Sequence, residues 1–271
     1  MSEFDAVERF GIAGRAILVT GATGHLGRPI AEAIAAAGGI AIVAARSTER
    51  LTTLTREIET QGGRCSSVAF DIGDPEQCRA AVAQILGQTG RLDGIVNCAY
   101  SSRISTLEHT PPADFALAWN QHVVGPFTML QAALPALRAA GLRLEGGASI
   151  VNIGSMYGHV SPDPRIYGSS GKNSPPPYGA AKAGLLQLTR YLAVHLGPER
   201  IRVNSVSPGP FPLPTIADSD PEFHARLCER TPLGRIGAAR ELVGPVIFLL
   251  SDAASYVTGA DLAVDGGWTA W

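Results

Sequence analysis

Cysteine is scarce and poorly spaced for chemistry: Cys65, Cys78, Cys98 and Cys228 are the only four in 271 residues. No two stand at the separation of a zinc site or a redox pair, which excludes a disulfide framework and leaves four small apolar residues. Histidine is also sparse, six in all with no His-x-x-x-His pair, so no metal site is expected. Neither sign of charge dominates: 22 basic residues face 24 acidic ones, for a net of −2 without a run of like charge. That removes nucleic acid and anionic membrane surfaces from the expected partners. No apolar stretch reaches membrane-spanning length, and the opening MSEFDAVERF lacks the apolar core of a secretory signal. The expected compartment is the cytosol.

What the chain does have is apolar residue in quantity, 45%, enough for one substantial core, and no linker long enough to divide it. One domain over 1–271 is expected. Short β-branched runs predict strands at 16–20, 40–45, 67–70, 94–97, 149–153, 202–206 and 261–264. Between them, apolar residues spaced by three and four predict helices at 26–37, 48–60, 75–86, 112–138, 178–196 and 240–250. Alternation of this kind predicts an α/β fold, a doubly wound parallel sheet of about seven strands with helices on both faces. Two Pro-rich stretches, 161–177 and 208–221, follow predicted strands, where the mouth of a site forms in such sheets.

Directly after the first strand comes TGATGHLG, with Gly21, Gly24 and Gly27 at the strand-to-helix turn and Thr23, His25 and Leu26 between them. Glycine there lets a pyrophosphate approach the helix N-terminus, whose amides and dipole hold it. The second strand ends in Ala-Ala-Arg46-Ser, without the acid that pairs with the ribose hydroxyls of NAD. Arg46 is instead placed to meet a 2′-phosphate. NADP(H) is favoured, and NAD(H) stays open.

Tyr178-Gly-Ala-Ala-Lys182 opens a predicted helix, so its two polar side chains share a face one turn apart. For a phenol to exchange protons near neutrality, its pKa must fall by about three units, about 4 kcal/mol. An ammonium at about 4 Å, in an effective dielectric of about 20, supplies that order of energy. Upstream, ASIVNIGSMYG ends a strand at Ser155, whose hydroxyl can polarise a substrate oxygen.

Taken together, TGATGHLG, Asp71, VNCAY, VNIGSMYG, YGAAK, IRVNSVSPG and SDAASYVTGADLAVDGG resemble the single-domain branch of the short-chain dehydrogenase/reductase family over nearly the whole chain. The resemblance implies Rossmann-type architecture, with Tyr178 as acid/base, Ser155 positioning the carbonyl or hydroxyl, and Lys182 contacting the nicotinamide ribose while lowering the phenol pKa. It also implies Asp71, with Ile72, near the adenine. Asn97 and Ala99 would line the cofactor, and Pro208 and Gly209 would lie beside the carboxamide. The implied activity is hydride transfer between NADP(H) or NAD(H) and a carbonyl/alcohol substrate, with a sugar or sugar-like keto compound as the substrate hint and a homo-oligomer, tetramer or dimer, as the assembly. A nucleotide-binding scaffold or redox sensor, and an epimerase or dehydratase that recycles its cofactor, remain as alternatives.

Three features depart from the family pattern. His25 stands where that branch has glycine. His122, in AWNQHVVGPF, occupies the place of the family's fourth catalytic residue, an asparagine. Asn120 is a poor substitute, because two residues on a regular helix turn a side chain through about 200°. Tyr178 follows Ser155 at a longer interval than is usual, the excess being SPDPRIYGSSGKNSPPP, which is expected to wall or cover the substrate pocket, to present Arg165, Tyr167 and Asn173 there, and to let Arg165 and Lys172 engage an acidic or polyhydroxylated substrate.

Overall fold

The β-branched runs pair as β1 (Ala16–Thr20), β2 (Ile40–Ala45), β3 (Arg64–Ala69), β4 (Gly94–Asn97), β5 (Ala148–Ile153), β6 (Ile201–Pro208) and β7 (Asp261–Val264). The computed structural model describes residues 6–100 and 105–271 and orders the strands β3-β2-β1-β4-β5-β6-β7. The start of the acidic opening, residues 1–5, lies outside the described residues. Every pairing is parallel, so each return needs a crossover. The helices are α1 (Ala6–Arg9), α2 (Gly27–Ala36), α3 (Thr48–Thr60), α4 (Pro75–Thr89), α5 (Pro112–Trp119), α6 (Gly125–Arg143), α7 (Pro176–Leu196), α8 (Ile216–Ser219), α9 (Pro221–Arg230) and α10 (Val243–Leu250). Strand order reverses direction at β1 and β4, which opens a crevice beyond their C-terminal ends.

Alternation along each strand splits the apolar residues between two cores. Leu18, Ile42, Ile95, Ile150 and Val203 face Met129 and Leu137 of α6 and Leu192 of α7. Ile17, Val19, Val43, Val96, Val151 and Val206 face Ile30 and Ile34 of α2 and Val246 and Leu249 of α10. A sheet covered on both faces has near-continuous apolar strands, which is why these runs carry little polar alternation. Local signals fix where the helices start: Asp74 Oδ1 accepts from the Glu76 and Gln77 amides at 2.9 and 3.1 Å, and Pro75 follows at the first helical position.

The sequence expectation of one helix over 112–138 is corrected. The chain forms α5, then a π-helical turn at Asn120–Val124, then α6. Pro126 has no amide hydrogen and its ring conflicts with the carbonyl four residues earlier, so the turn before it widens. The stretch read as irregular over 208–221 gives way to α8 and α9, and β3 starts earlier than expected, at Arg64.

Candidate active site

Beyond Thr20 the chain turns at Gly21 with φ of +67°, a conformation that favours glycine. A Cβ there would lie 2.7 Å from Ala99 Cα, and one at Gly27 would lie 2.3 Å from the Gly21 carbonyl oxygen. Bare backbone is therefore packed on backbone, and α2 begins flush with the turn. Leu26, at its N-cap, offers no side-chain hydrogen bond, which leaves the helix N-terminus free for an anion.

This turn forms one wall of a cavity of about 650 Å³ across the C-terminal ends of the strands. Gly21, Thr23, Gly24, His25, Leu26, Gly27, Arg46, Asp71, Ile72, Ala99, Pro208 and Gly209 line it together with Ser155, Tyr178 and Lys182. Asn97 borders the small adjoining space rather than this cavity, beside Thr20, Ile72, Ala99 and Lys182, which line both. Asn97 pairs in register with Asn152 of β5, so the amides lie side by side and Asn97 Nδ2 donates to Asn152 Oδ1 at 2.8 Å. Asn152 Nδ2 in turn donates to Thr189 Oγ1 of α7 at 2.8 Å. The pair therefore ties β4 and β5 to α7 beneath the cavity.

At the end over β2 and β3, Arg46 is joined by Arg50, which sequence reasoning passed over. Its signal was the four-residue interval from Arg46 into the first turn of α3. Ser47 caps that helix, accepting from the Arg50 amide at 3.3 Å, and Arg50 Nη2 reaches back to donate to the Thr23 carbonyl at 2.5 Å. Two guanidinium groups thus border the turn where no acid stands. The arrangement suits a dinucleotide: a glycine cradle that side chains would fill, an uncapped helix N-terminus, and paired cations for a further phosphate.

At the other end, β5 delivers Ser155 and α7 delivers Tyr178 and Lys182. Proline is tolerated in a first helical turn, so Pro176 and Pro177 start α7 and set Tyr178 close to the strand end. Ser155 is buried, and its Oγ accepts from the Tyr157 amide at 3.1 Å. Burial pushes the Tyr178 phenol well above its usual pKa, and a hydrogen bond with Ser155 pulls it partly back. Lys182 is 4% exposed; its Nζ donates to the Ile153 carbonyl at 2.6 Å and lies 5.8 Å from the Tyr178 ring centre. Burial lowers its pKa to about 8. Burial thus outweighs the other influences on the Tyr178 phenol and moves it upward, opposite to the downward shift expected from Lys182.

His122 is buried at 2% exposure, its ring 6.0 Å from that of Tyr178 and 5.8 Å from that of Tyr100. It borders a small space behind the main cavity that Lys182 and Asn97 share. Asn120 is drawn away, its Nδ2 donating to the Gly73 carbonyl at 2.7 Å. Gln121, Tyr100, Phe211 and Leu213, none of them expected, line the main cavity. Tyr100 had one signal, its place directly after the motif residues Asn97 to Ala99.

The insertion behaves differently from its expectation. None of residues 161–177 lines the cavity. Arg165 is paired with Asp163 instead, Nη2 to Oδ2 at 2.7 Å. The segment packs on α9: Tyr167 stacks on Phe223 at 5.4 Å, and Arg226 Nε donates to the Ile166 carbonyl at 2.7 Å. Ile166 has the apolar neighbours Leu227 and Trp268 to bury against, which the loop's sequence could not reveal. Among the described residues no group of three His, Cys, Asp or Glu side chains is arranged to hold a metal ion, and no helix is long and apolar enough to cross a membrane.

The sheet order, the glycine cradle and the Ser-Tyr-Lys constellation define a nucleotide-dependent oxidoreductase fold. A family model described as enoyl-(acyl carrier protein) reductase matches residues 21–269, and the chain belongs to the short-chain dehydrogenase/reductase family. It is 32% identical to gluconate 5-dehydrogenase of Gluconobacter oxydans, over 96% of this chain and 96% of that protein. It is 31% identical to a 3-oxoacyl-(acyl-carrier-protein) reductase of Thermotoga maritima, over 94% of this chain and 97% of that one. Among solved structures, a gluconate 5-dehydrogenase of Burkholderia cenocepacia in complex with NADP and tartrate aligns with TM-score 0.87 at 30% identity, covering 98% of this chain and 99% of that one. A short-chain type dehydrogenase/reductase of Mycobacterium marinum aligns with TM-score 0.86 at 33% identity, covering 98% and 99%.

Proposed function

We propose that this NAD(P)-dependent oxidoreductase interconverts a ketone and a secondary alcohol on a sugar-like or other polyfunctional small molecule, with NADP(H) as the preferred cofactor. The observation that carries the reading is that Ser155, Tyr178 and Lys182 meet at one end of a single cavity whose other end holds the glycine cradle and the Arg46–Arg50 pair. The residues fit the cofactor: Gly21, Thr23, Gly24, His25, Leu26 and Gly27 would hold the pyrophosphate at α2, Arg46 and Arg50 would take the 2′-phosphate, Asp71 and Ile72 would lie toward the adenine, and Ala99, Pro208 and Gly209 toward the nicotinamide. When bound, the nicotinamide supplies or takes up the hydride.

The chain's own residues manage the oxygen and its proton. Ser155 donates to the substrate oxygen and fixes it against the Tyr178 hydroxyl. Tyr178 gives its proton to that oxygen in reduction and takes it back in oxidation. Tyr178 is protonated at neutral pH, the form that donates in reduction, and its raised pKa disfavours the deprotonated form that oxidation needs. Lys182 positions the Tyr178 helix on β5 through Ile153, and His122 supports the Tyr178 ring from behind.

The reading extends to one domain over 1–271, a cytoplasmic protein and a homo-oligomer, tetramer or dimer. Exposed Phe115 and Trp119 on α5 and exposed Tyr191 and Val194 on α7 support self-association of that face. The test of function is NADPH consumption with a panel of ketones and keto-sugars by wild type and Tyr178→Phe. Turnover should fall by about 10² to 10⁴ in the variant while fluorescence-detected NADPH binding persists. Near-normal turnover in the variant overturns the assignment of Tyr178. Substrate conversion without net NADPH consumption identifies an epimerase instead.

A further inference from the structure

Ser155 opens into the cavity, but the turn that follows it is seated elsewhere. Met156–Gly158 form one 3-10 turn, and Met156 and Tyr157 belong to neither sheet core. They pack instead with Ile166 and Tyr167 of the insertion, Leu227 of α9 and Trp268, in a third apolar cluster. The Arg230 guanidinium covers that cluster's edge, 5.2 Å from the Trp268 ring centre and 5.0 Å from that of Trp271. On its other side the turn lies hard against α7: a Cβ on Gly158 would stand 3.2 Å from the Lys182 carbonyl carbon, and one on Gly179 would stand 3.0 Å from the Tyr157 carbonyl oxygen. At its exit, His159 Nε2 and Asp261 Oδ2 of β7 pair at 2.6 Å.

A serine hydroxyl has one proton and two lone pairs. The Tyr157 amide donates to Ser155 Oγ at 3.1 Å, which occupies a lone pair and leaves the proton to be given away; Ser155 gives it to the Tyr178 oxygen. Without that amide the hydroxyl can rotate and turn a lone pair on a substrate oxygen, which repels where a donor would polarise. The place of the Tyr157 amide therefore decides what Ser155 presents. The Tyr157 side chain holds that place from outside: its phenol donates to the phenol of Tyr167, and the Tyr167 ring is stacked on Phe223 at 5.4 Å. Neither Tyr157 nor Tyr167 lines the cavity, so neither is a surface for substrate or cofactor there.

We propose that Tyr157 is a positioning residue for the reaction: Tyr167, supplied by the insertion, holds the Tyr157 side chain, and the Tyr157 amide thereby keeps the Ser155 proton aimed at the substrate oxygen. The inference rests on the reading that Ser155 and Tyr178 act on a carbonyl or carbinol carbon. It gives residues 161–177, which stay outside the cavity, a part in the chemistry inside it.

The experiment uses Tyr157→Phe, Tyr167→Phe and the double variant, which remove hydroxyls and keep the packed rings. With the best ketone of the panel at saturating NADPH, each single variant should lower kcat about fivefold, as expected for one neutral hydrogen bond, while KM and NADPH affinity hold. The double variant should be no slower than either single one, because the two hydroxyls make one contact. Losses that multiply in the double variant overturn the proposal. So does a lowered melting temperature with kcat intact, the mark of a purely structural contact. Hydrogen exchange at the Tyr157 amide reads the same contact without substrate: it should accelerate in Tyr167→Phe, and unchanged exchange overturns the proposal. If wild type reduces no ketone or keto-sugar, the activity reading fails separately, and the exchange measurement still decides whether Tyr167 holds the amide on Ser155.

Discussion

Lys182 Nζ donates to the main-chain carbonyl of Ile153 at 2.6 Å, so the helix that carries Tyr178 is fastened to the strand that delivers Ser155. The contact joins the two halves of the site by one buried hydrogen bond, and it costs the protein a desolvated ammonium.

That cost sets a pH dependence. The folded-state pKa of Lys182 is lowered to about 8 from a usual 10.5, so the folded state is penalised below pH 8 and relieved as pH rises to 10.5. The full penalty is about 3 kcal/mol, against about 1 kcal/mol from the Ile153 hydrogen bond. Lys182→Met should therefore unfold at higher denaturant than wild type at pH 7, and the order should reverse above pH 10.5. Denaturant titrations across that range check it; a wild type more stable than the variant at pH 7 contradicts the argument.

Arg46 and Arg50 should share the discrimination between cofactors. Each is exposed, so each contact with a 2′-phosphate is partly screened. Arg46→Ala and Arg50→Ala should each weaken NADPH binding about tenfold, as expected for one charged hydrogen bond, and leave NADH affinity nearly unchanged. Titration of both cofactors at fixed ionic strength checks this, and an equal loss for the two would locate the arginines' effect elsewhere.

His122 is buried against the ring of Tyr178, so its shape and polarity both matter. His122→Asn should keep most of the turnover, and His122→Leu should lose most of it with a displaced pH–rate profile. Identical behaviour of the two variants removes the supporting role.

The insertion should act through α9. Trimming 161–177 removes the Tyr167 stack on Phe223 and the Arg226 bond to Ile166, so amide exchange in α9 should accelerate and KM should rise while NADPH affinity holds. Phe223→Ala should reproduce the direction of the effect at a cost of about 2 kcal/mol. Unchanged exchange in α9 would dismiss the coupling.

Much of the fold was legible because its causes are local. β-Branched runs mark strands, a glycine turn marks the first crossover, Asp74-Pro75 marks a helix start, and the Tyr178–Lys182 interval places two side chains on one face. The glycine turn after β1 was legible for the same reason: backbone packs on backbone at Gly21 and Gly27, where a Cβ has no room. Arg46 could be placed from the end of its strand alone.

What tertiary structure decided depends on neighbours that sequence order does not supply. Asn97 pairs its side chain with Asn152 because the two lie in register on adjoining strands. The insertion left the pocket because α9 and Trp268 offered an apolar surface to cover. Tyr100, after β4, met the ring of Tyr178 on α7 edge-on, and burial lowered the pKa of Lys182. Spacing along the chain determined which groups this protein carries into its site; desolvation and contact, which are properties of the assembled fold, determined what charge they hold and what they touch.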